Sequence, residues 1–311
     1  MKKISIITPT YNEEINIPLF YEQVKRILLP LSTKYDFEII FVDDGSTDKT
    51  AEILKKLTDS DSKVKYLEFS RNFGKEMATT AGLNHCKGDC AILIDVDLQH
   101  PVEIIPKFIT DWETGFEVVV GIRKSSKSDT FIKVFGSKLF YKIMSKISDT
   151  EMAPSSTDFR LIDRKVIDAF NQCTERERIT RGLIAWLGFK RSFIEFEAKE
   201  RVNGKASYST LKLIKLALSS FVSMSLFPLK LAGYLGILII LISGLFGIFI
   251  FIEKVILGDP MGFTWLSFLI IAILFLVGII LSCLGLIALY IGSISQEVSN
   301  RPMYVIRDKK L

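Results

Sequence analysis

A chain of 311 residues can hold one sizeable core and still spare about 80 residues for something else, on a usual ~100–200 residues per domain. Its net charge of +5 is too small to argue for a nucleic-acid partner, and the sequence has no zinc-finger spacing or aromatic-basic RNA signature. The four cysteines say little: Cys86 and Cys90 are spaced CxxxC, Cys173 and Cys283 are remote, and all four read as reduced thiols rather than a metal site or a disulfide framework.

At the N-terminus, Lys2-Lys3 is followed by too few apolar residues before Thr8-Pro9 for a secretory signal, so the first 228 residues are expected to stay in the cytoplasm. Short β-rich runs then recur with helical stretches between them: Ile4–Ile7, Phe37–Val42, Val64–Phe69, Ala91–Ile94 and Glu117–Gly121. This alternation predicts a doubly wound α/β sheet. Four runs end in polar clusters: Thr8-Pro9-Thr10-Tyr11-Asn12-Glu13, Asp43-Asp44-Gly45-Ser46, Ser70-Arg71-Asn72 and Asp95-Val96-Asp97. Ligands of open parallel sheets bind beyond the carboxyl ends of the strands, so these clusters are expected to share one crevice.

Asp95 and Asp97 share one side of an extended segment, being two residues apart. Mg2+ binds through one or two carboxylates together with substrate phosphates, and this pair suits it. A pair of solvated turn aspartates is the plainer alternative, and the preceding buried run favours the metal. Asp43-Asp44-Gly45-Ser46 reads as a turn and helix cap, in which either aspartate could also accept hydrogen bonds from a ribose or a base. The absence of GxGxxG after the first strand counts against a dinucleotide cofactor. Arg71 and Lys75 could pair with a phosphate or with a local acid.

Further along, Phe131–Ile147 alternates apolar residues with Lys133, Lys138, Lys142 and Lys146, the pattern of a helix lying in an anionic interface. Ser207–Met224 is a second amphipathic stretch; ordinary surface helices covering the sheet are the plainer alternative for both, and the apolar segments downstream favour the interface. A bilayer core of about 30 Å takes roughly 20 apolar residues, which predicts spans at 229–252 and 265–291. Lys212 and Lys215 precede the first span, Lys230 stands at its very start, and Arg301, Arg307, Lys309 and Lys310 follow the second, which places both termini in the cytoplasm.

The blocks already quoted, together with Arg71-Asn72-Phe73-Gly74-Lys75, Asp95-Val96-Asp97-Leu98-Gln99-His100-Pro101, Asp158-Phe159-Arg160 and Arg301-Pro302, resemble family 2 glycosyltransferases of the GT-A fold over nearly the whole chain. With its two terminal spans, the chain is most similar to the bacterial polyprenyl-phosphate (bactoprenol) glycosyltransferases, a group related to dolichol-phosphate mannose synthase. The resemblance implies a cytoplasmic GT-A catalytic domain over 1–206, a juxtamembrane helix over 207–228, spans over 229–252 and 265–291, and a cytoplasmic tail over 292–311. It also implies a multi-pass protein of the bacterial cytoplasmic membrane, with self-association through the spans left open.

By the same resemblance, Pro9, Tyr11, Glu13, Asp43, Asp44, Lys75, Asp95, Arg201 and Lys205 serve the nucleotide-sugar donor. Asp95, Asp97 and Gln99 hold Mg2+ or Mn2+. Arg123, Lys133 and Ser137 meet the acceptor phosphate, while Asp97, Asp158 and Arg160 act on the reacting groups. The expected reaction is inverting transfer of a sugar, glucose from UDP-glucose at family level, to polyprenyl (undecaprenyl) phosphate. A diacylglycerol acceptor and a non-catalytic nucleotide-binding membrane scaffold are the alternatives. In place of the family's RxxGxSKY stands Arg201-Val202-Asn203-Gly204-Lys205-Ala206-Ser207-Tyr208, with Ser207 at the expected lysine. The chain lacks the QxxRW motif of processive synthases.

Overall fold

The computed structural model describes residues 1–124, 156–176, 178–197, 245, 252 and 265–311. The chain divides into two compact units, 1–207 together with 301–311, and 208–300. The first unit is built on one eight-stranded sheet of order β7-β5-β6-β4-β1-β2-β3-β8. Its strands are β1 (Lys2–Thr10), β2 (Tyr35–Asp43), β3 (Val64–Phe69), β4 (Cys90–Leu93), β5 (Val118–Arg123), β6 (Ser156–Asp163), β7 (Arg191–Phe196) and β8 (Ile306–Lys310). All five predicted strands are present. The sheet is mixed rather than wholly parallel: β3, β2, β1 and β4 run parallel, whereas β6 lies antiparallel between β4 and β5, and β8 antiparallel against β3.

Strand alternation sends side chains to two separate cores. Ile4, Ile6, Phe37, Ile39 and Phe41 face one side, packed against α1 (Asn16–Leu28), α2 (Thr50–Ser60) and α4 (Ile105–Glu113). Ile7, Ile40 and Val42 face the other, against α3 (Lys75–His85), α5 (Arg164–Gln172) and α6 (Thr180–Trp186). Helix α1 shows why it belongs there: Ile17, Phe20, Tyr21, Val24 and Leu28 are all buried and recur at three- and four-residue spacing, one stripe of a 3.6-residue helix. Helix α5 starts where the Asp163 carboxylate accepts the Lys165 amide at 2.9 Å, a side-chain N-cap. Covered on both faces, the central strands need no polar alternation, so β2 is buried along nearly its whole length.

Strand β8, inside the segment read as a tail, closes the β3 edge. The Tyr66 hydroxyl donates to Asp308 at 2.8 Å, Lys55 lies 3.0 Å from the same carboxylate, and Arg307 pairs with Glu68 at 3.2 Å. Tyr304 stacks on Phe69 with ring centroids 5.0 Å apart. An unpaired edge is a template for aggregation. Removing residues 303–311 is therefore expected to lower the onset temperature of aggregation, read by static light scattering; an unchanged onset would show that the β3 edge needs no cover.

In the second unit, α7 (Trp265–Val298) runs unbroken for 34 residues, about 51 Å at ~1.5 Å per residue. Its sequence carries no charge before Glu297. Counted over fully described residues alone, no helix is long and apolar enough to cross a membrane. The expected span 229–252 and the amphipathic stretches Phe131–Ile147 and Ser207–Met224 fall outside the described residues, apart from Leu245 and Ile252.

Candidate active site

The carboxyl ends of β1, β2 and β4 meet as the parallel topology requires. The two loops beyond β1 and β2 are stitched together. The Asn12 amide donates to Ser46 Oγ at 2.9 Å, Thr47 N to Asn12 Oδ1 at 2.8 Å, and Glu13 N to Thr50 Oγ1 at 2.9 Å. Asn12 sits at φ 55°, a left-handed conformation that asparagine tolerates. Glu13 is occupied locally, accepting Asn16 Nδ2 at 2.6 Å, and Tyr11 is exposed.

The adjacent aspartates ending β2 do different work. Asp44 accepts the backbone amides of Phe73 at 2.7 Å and Gly74 at 2.9 Å, which holds the loop leading into α3. Asp43 accepts Ser46 N at 3.1 Å and the Ser46 hydroxyl through Oδ1, while its buried Oδ2 accepts no hydrogen bond. Burial pushes both carboxyls above their ordinary value. Gly45 between Asp44 and Ser46 has φ +68°, and a Cβ there would lie 2.8 Å from both the Arg71 Cα and carbonyl oxygen. Gly45→Ala is therefore expected to cost about 1–3 kcal/mol through left-handed strain and the clash. Thermal unfolding with and without donor checks it, and a variant as stable as the wild type would show that the Arg71 loop yields freely.

Beyond β4 the chain turns back on itself. Leu98, buried, adopts φ 61°, unusual for a branched apolar residue. The Gln99 amide donates to Asp97 Oδ1 at 3.2 Å. This turn brings Asp95, Asp97 and His100 together, with one ligand atom from each lying within 4.8 Å of the others. His100, which the sequence reading left without a role, packs on Phe159 at 5.2 Å and on Phe196 at 5.6 Å. Its buried Nδ1 makes no hydrogen bond and lies 3.9 Å from Asp95. Burial lowers its pKa, so the ring is neutral near pH 7 and has a lone pair to offer. Two carboxylates and a neutral imidazole with an orphaned nitrogen fit a divalent cation, Mn2+ comfortably and Mg2+ through the oxygens.

Beside this cluster opens a cleft of about 320 Å³, walled by Pro9, Leu93, Asp95, Asp158, Arg160, Lys75 and Glu76. Lys75, at the first turn of α3, donates to Asp95 at 2.8 Å and Asp158 at 2.9 Å, bridging the ends of β4 and β6. Burial alone would lower its pKa, but the two carboxylates carry it well above the lysine range. Burial alone would raise Asp158, but Lys75 and then Arg160 hold it far below the carboxylate range. Arg160 is almost wholly buried, donates to Thr157 O at 2.6 Å, and leaves Nε without a partner.

Glu76 is a further cleft residue absent from the sequence reading. It accepts the Thr180 amide at 2.9 Å and the Thr180 hydroxyl, which ties α6 to α3. Burial, and then the Asp158 charge, raise its pKa. Of the residues assigned to the acceptor phosphate, Arg123 is exposed at the end of β5. Lys133 and Ser137 lie outside the described residues, as do Arg201 and Lys205 from the donor set.

Residues 5–170 match the model of the family described as Glycosyl transferase family 2. The chain is 40% identical over 308 residues to the bactoprenol glucosyl transferase of Shigella phage SfII, covering 98% of this chain and 97% of the relative. It is 37% identical over 309 residues to a prophage bactoprenol glucosyl transferase homolog of Escherichia coli strain K12, covering 99% of each. In fold it is similar to a mannosyltransferase of Pyrobaculum calidifontis solved with GDP-Man and Mn2+, at 17% identity and a TM-score of 0.50, over 72% of this chain and 62% of that one.

Proposed function

Because the chain belongs to glycosyl transferase family 2, within its bactoprenol glycosyltransferase group, we propose that it transfers glucose from UDP-glucose to undecaprenyl phosphate with inversion at the anomeric carbon. The observation that carries this reading is the convergence of Asp95, Asp97 and His100 beside a cleft that also holds Lys75 and Asp158.

In this reading the nucleoside lies across the ends of β1 and β2, against Pro9 and Tyr11. The partnerless Oδ2 of Asp43 accepts a base or ribose donor there, and Asp44 positions the Arg71–Lys75 loop. Asp95, Asp97 and His100, with Gln99 alongside, would hold Mg2+ or Mn2+, which supplies Lewis-acid stabilisation of charge on the departing diphosphate. A lipid phosphate oxygen forms the new bond to the anomeric carbon as the diphosphate oxygen leaves with its electron pair. A phosphate is already anionic, so the chain's work is positioning and charge stabilisation rather than strong base catalysis. Asp158, fixed by Lys75, orients the incoming group. Arg123, Lys133 and Ser137 meet its phosphate, and Arg201 and Lys205 close over the donor.

The acceptor resides in a bilayer, and we assign 229–252 and 265–291 as the spans that hold the enzyme there, both termini cytoplasmic. Each basic residue near an anionic surface contributes about 1 kcal/mol. Replacing Lys133, Lys138, Lys142 and Lys146 together with Gln is thus expected to lower transfer to lipid and to leave donor hydrolysis intact. Equal loss of both activities would refute a membrane-docking role for these lysines. Mass spectrometry of lipid products tests the whole reading, with purified full-length protein, Mg2+, undecaprenyl phosphate, diacylglycerol and a panel of nucleotide sugars. Hexosyl undecaprenyl phosphate is the expected product; sugar found only on diacylglycerol, or on no lipid, would overturn it.

A further inference from the structure

A second pocket, open to solvent and spanning about 340 Å³ of space, lies between β5, β6, β7 and α6. Three guanidinium side chains line it: Arg160 from β6, Arg181 from α6 and Arg191 from β7, with Ser156, Ile184 and Phe193 completing the wall. Arg160 lines both cavities, so the two spaces share a boundary. Its guanidinium is almost wholly buried with Nε unpartnered, a costly arrangement unless something else accepts that hydrogen. Arg181 forms no hydrogen bond or ion pair among the described residues.

The charge balance points the same way. Asp158 is the ionised acid that faces Arg160 and Arg181, and it is already bound to Lys75. Glu76 also faces Arg160, but its own burial favours the neutral form. With Asp158 shared among Lys75, Arg160 and Arg181, and with Arg181 making no bond of its own, the pocket can accept an anion from outside the chain. Guanidinium forks match phosphate oxygens two at a time, and several forks around one space favour a doubly charged phosphate over a carboxylate.

We propose that the pocket of Arg160, Arg181 and Arg191 binds phosphate, either the headgroup of the lipid acceptor, in place of the contacts assigned above to Arg123, Lys133 and Ser137, or free phosphate. The lipid source rests on the function proposed above; the pocket does not. Detergent-solubilised full-length protein is titrated with inorganic phosphate by calorimetry in the absence of donor, as wild type, Arg181→Gln and Arg191→Gln. Kinetics with farnesyl phosphate and UDP-glucose follow on the same samples, whose folding is checked by thermal unfolding.

Both substitutions are expected to weaken phosphate binding by about tenfold or more, the usual scale for a charged hydrogen bond, with partial recovery in Arg181→Lys. If the lipid headgroup occupies the pocket, the KM for farnesyl phosphate rises by a similar factor while that for UDP-glucose stays put. If free phosphate occupies it, the calorimetric affinity falls and the farnesyl phosphate KM does not move. Wild-type-like phosphate affinity and KM in both variants, or no phosphate binding by the wild type, overturns the pocket. A wild type that binds phosphate but glucosylates no polyprenyl phosphate would instead sink the proposed function and leave the pocket standing.

Discussion

Replacing Asp97 with alanine is expected to cut sugar transfer by roughly 10²- to 10³-fold, the scale on which one element of preorganised charge stabilisation acts. The side chain is buried at the turn after β4, beside Asp95 and His100, so its loss removes one of two carboxylates from the proposed cation seat. Divalent ions of this kind rely on one or two protein carboxylates, and halving the number weakens the site directly. Titration of Mn2+ by electron paramagnetic resonance, with and without UDP, reads the binding apart from the chemistry. Asp97→Asn keeps the shape and the acceptor for the Gln99 amide, and thereby separates lost charge from a disturbed loop. Unchanged Mn2+ affinity in both variants would remove Asp97 from the metal set.

Asp158→Asn is expected to lower kcat by roughly 10²-fold or more while the KM for the nucleotide sugar changes little, because the role proposed for it lies in orientation and charge at the reacting centre. The carboxylate is one of two that hold Lys75, and the substitution leaves that ammonium to Asp95 alone. The pH dependence is distinctive. Asp158 is depressed in the folded protein, so its contribution is present above its unfolded value, about 4, and is lost only as pH falls through the lower folded value. Lys75 is raised, so its contribution is complete below its unfolded value, about 10, and is lost only as pH rises through the higher folded one. The deficit of the variant should therefore be equal at about pH 6 and about pH 9. A deficit that disappears at the lower pH would mean that Asp158 titrates in that range and serves as a base.

Much of this site was legible because the parallel half of the sheet follows simple rules. Apolar runs such as Ala91–Ile94 mark buried strands, and acids at their carboxyl ends mark a crevice. What escaped was set by tertiary contacts. Strand β6 is not among the strands expected from the sequence, and its Asp158 and Arg160, named there only through the family resemblance, find their physical reason in the bridge to Lys75 and the burial of Arg160. His100 reaches the aspartates through a left-handed Leu98, a conformation that leucine does not advertise. Asp43 and Asp44 are indistinguishable as neighbours in a chain, yet two backbone amides of a distant loop claim one of them and leave the other with an open oxygen. Lys75, on a loop in sequence, gains its meaning from carboxylates 20 and 83 residues away.

Strand β8 imposes an order on biosynthesis. Its Asp308 partners Tyr66, a separation of 242 residues, so β3 leaves the ribosome long before the segment that covers it. At ~5–20 residues per second, that interval is on the order of 10–50 s. For all of that time the nascent sheet carries a bare hydrogen-bonding flank, while the long apolar helix between the two is still being translated. The polypeptide is thus exposed to mispairing with its neighbours on a polysome until its closing residues emerge.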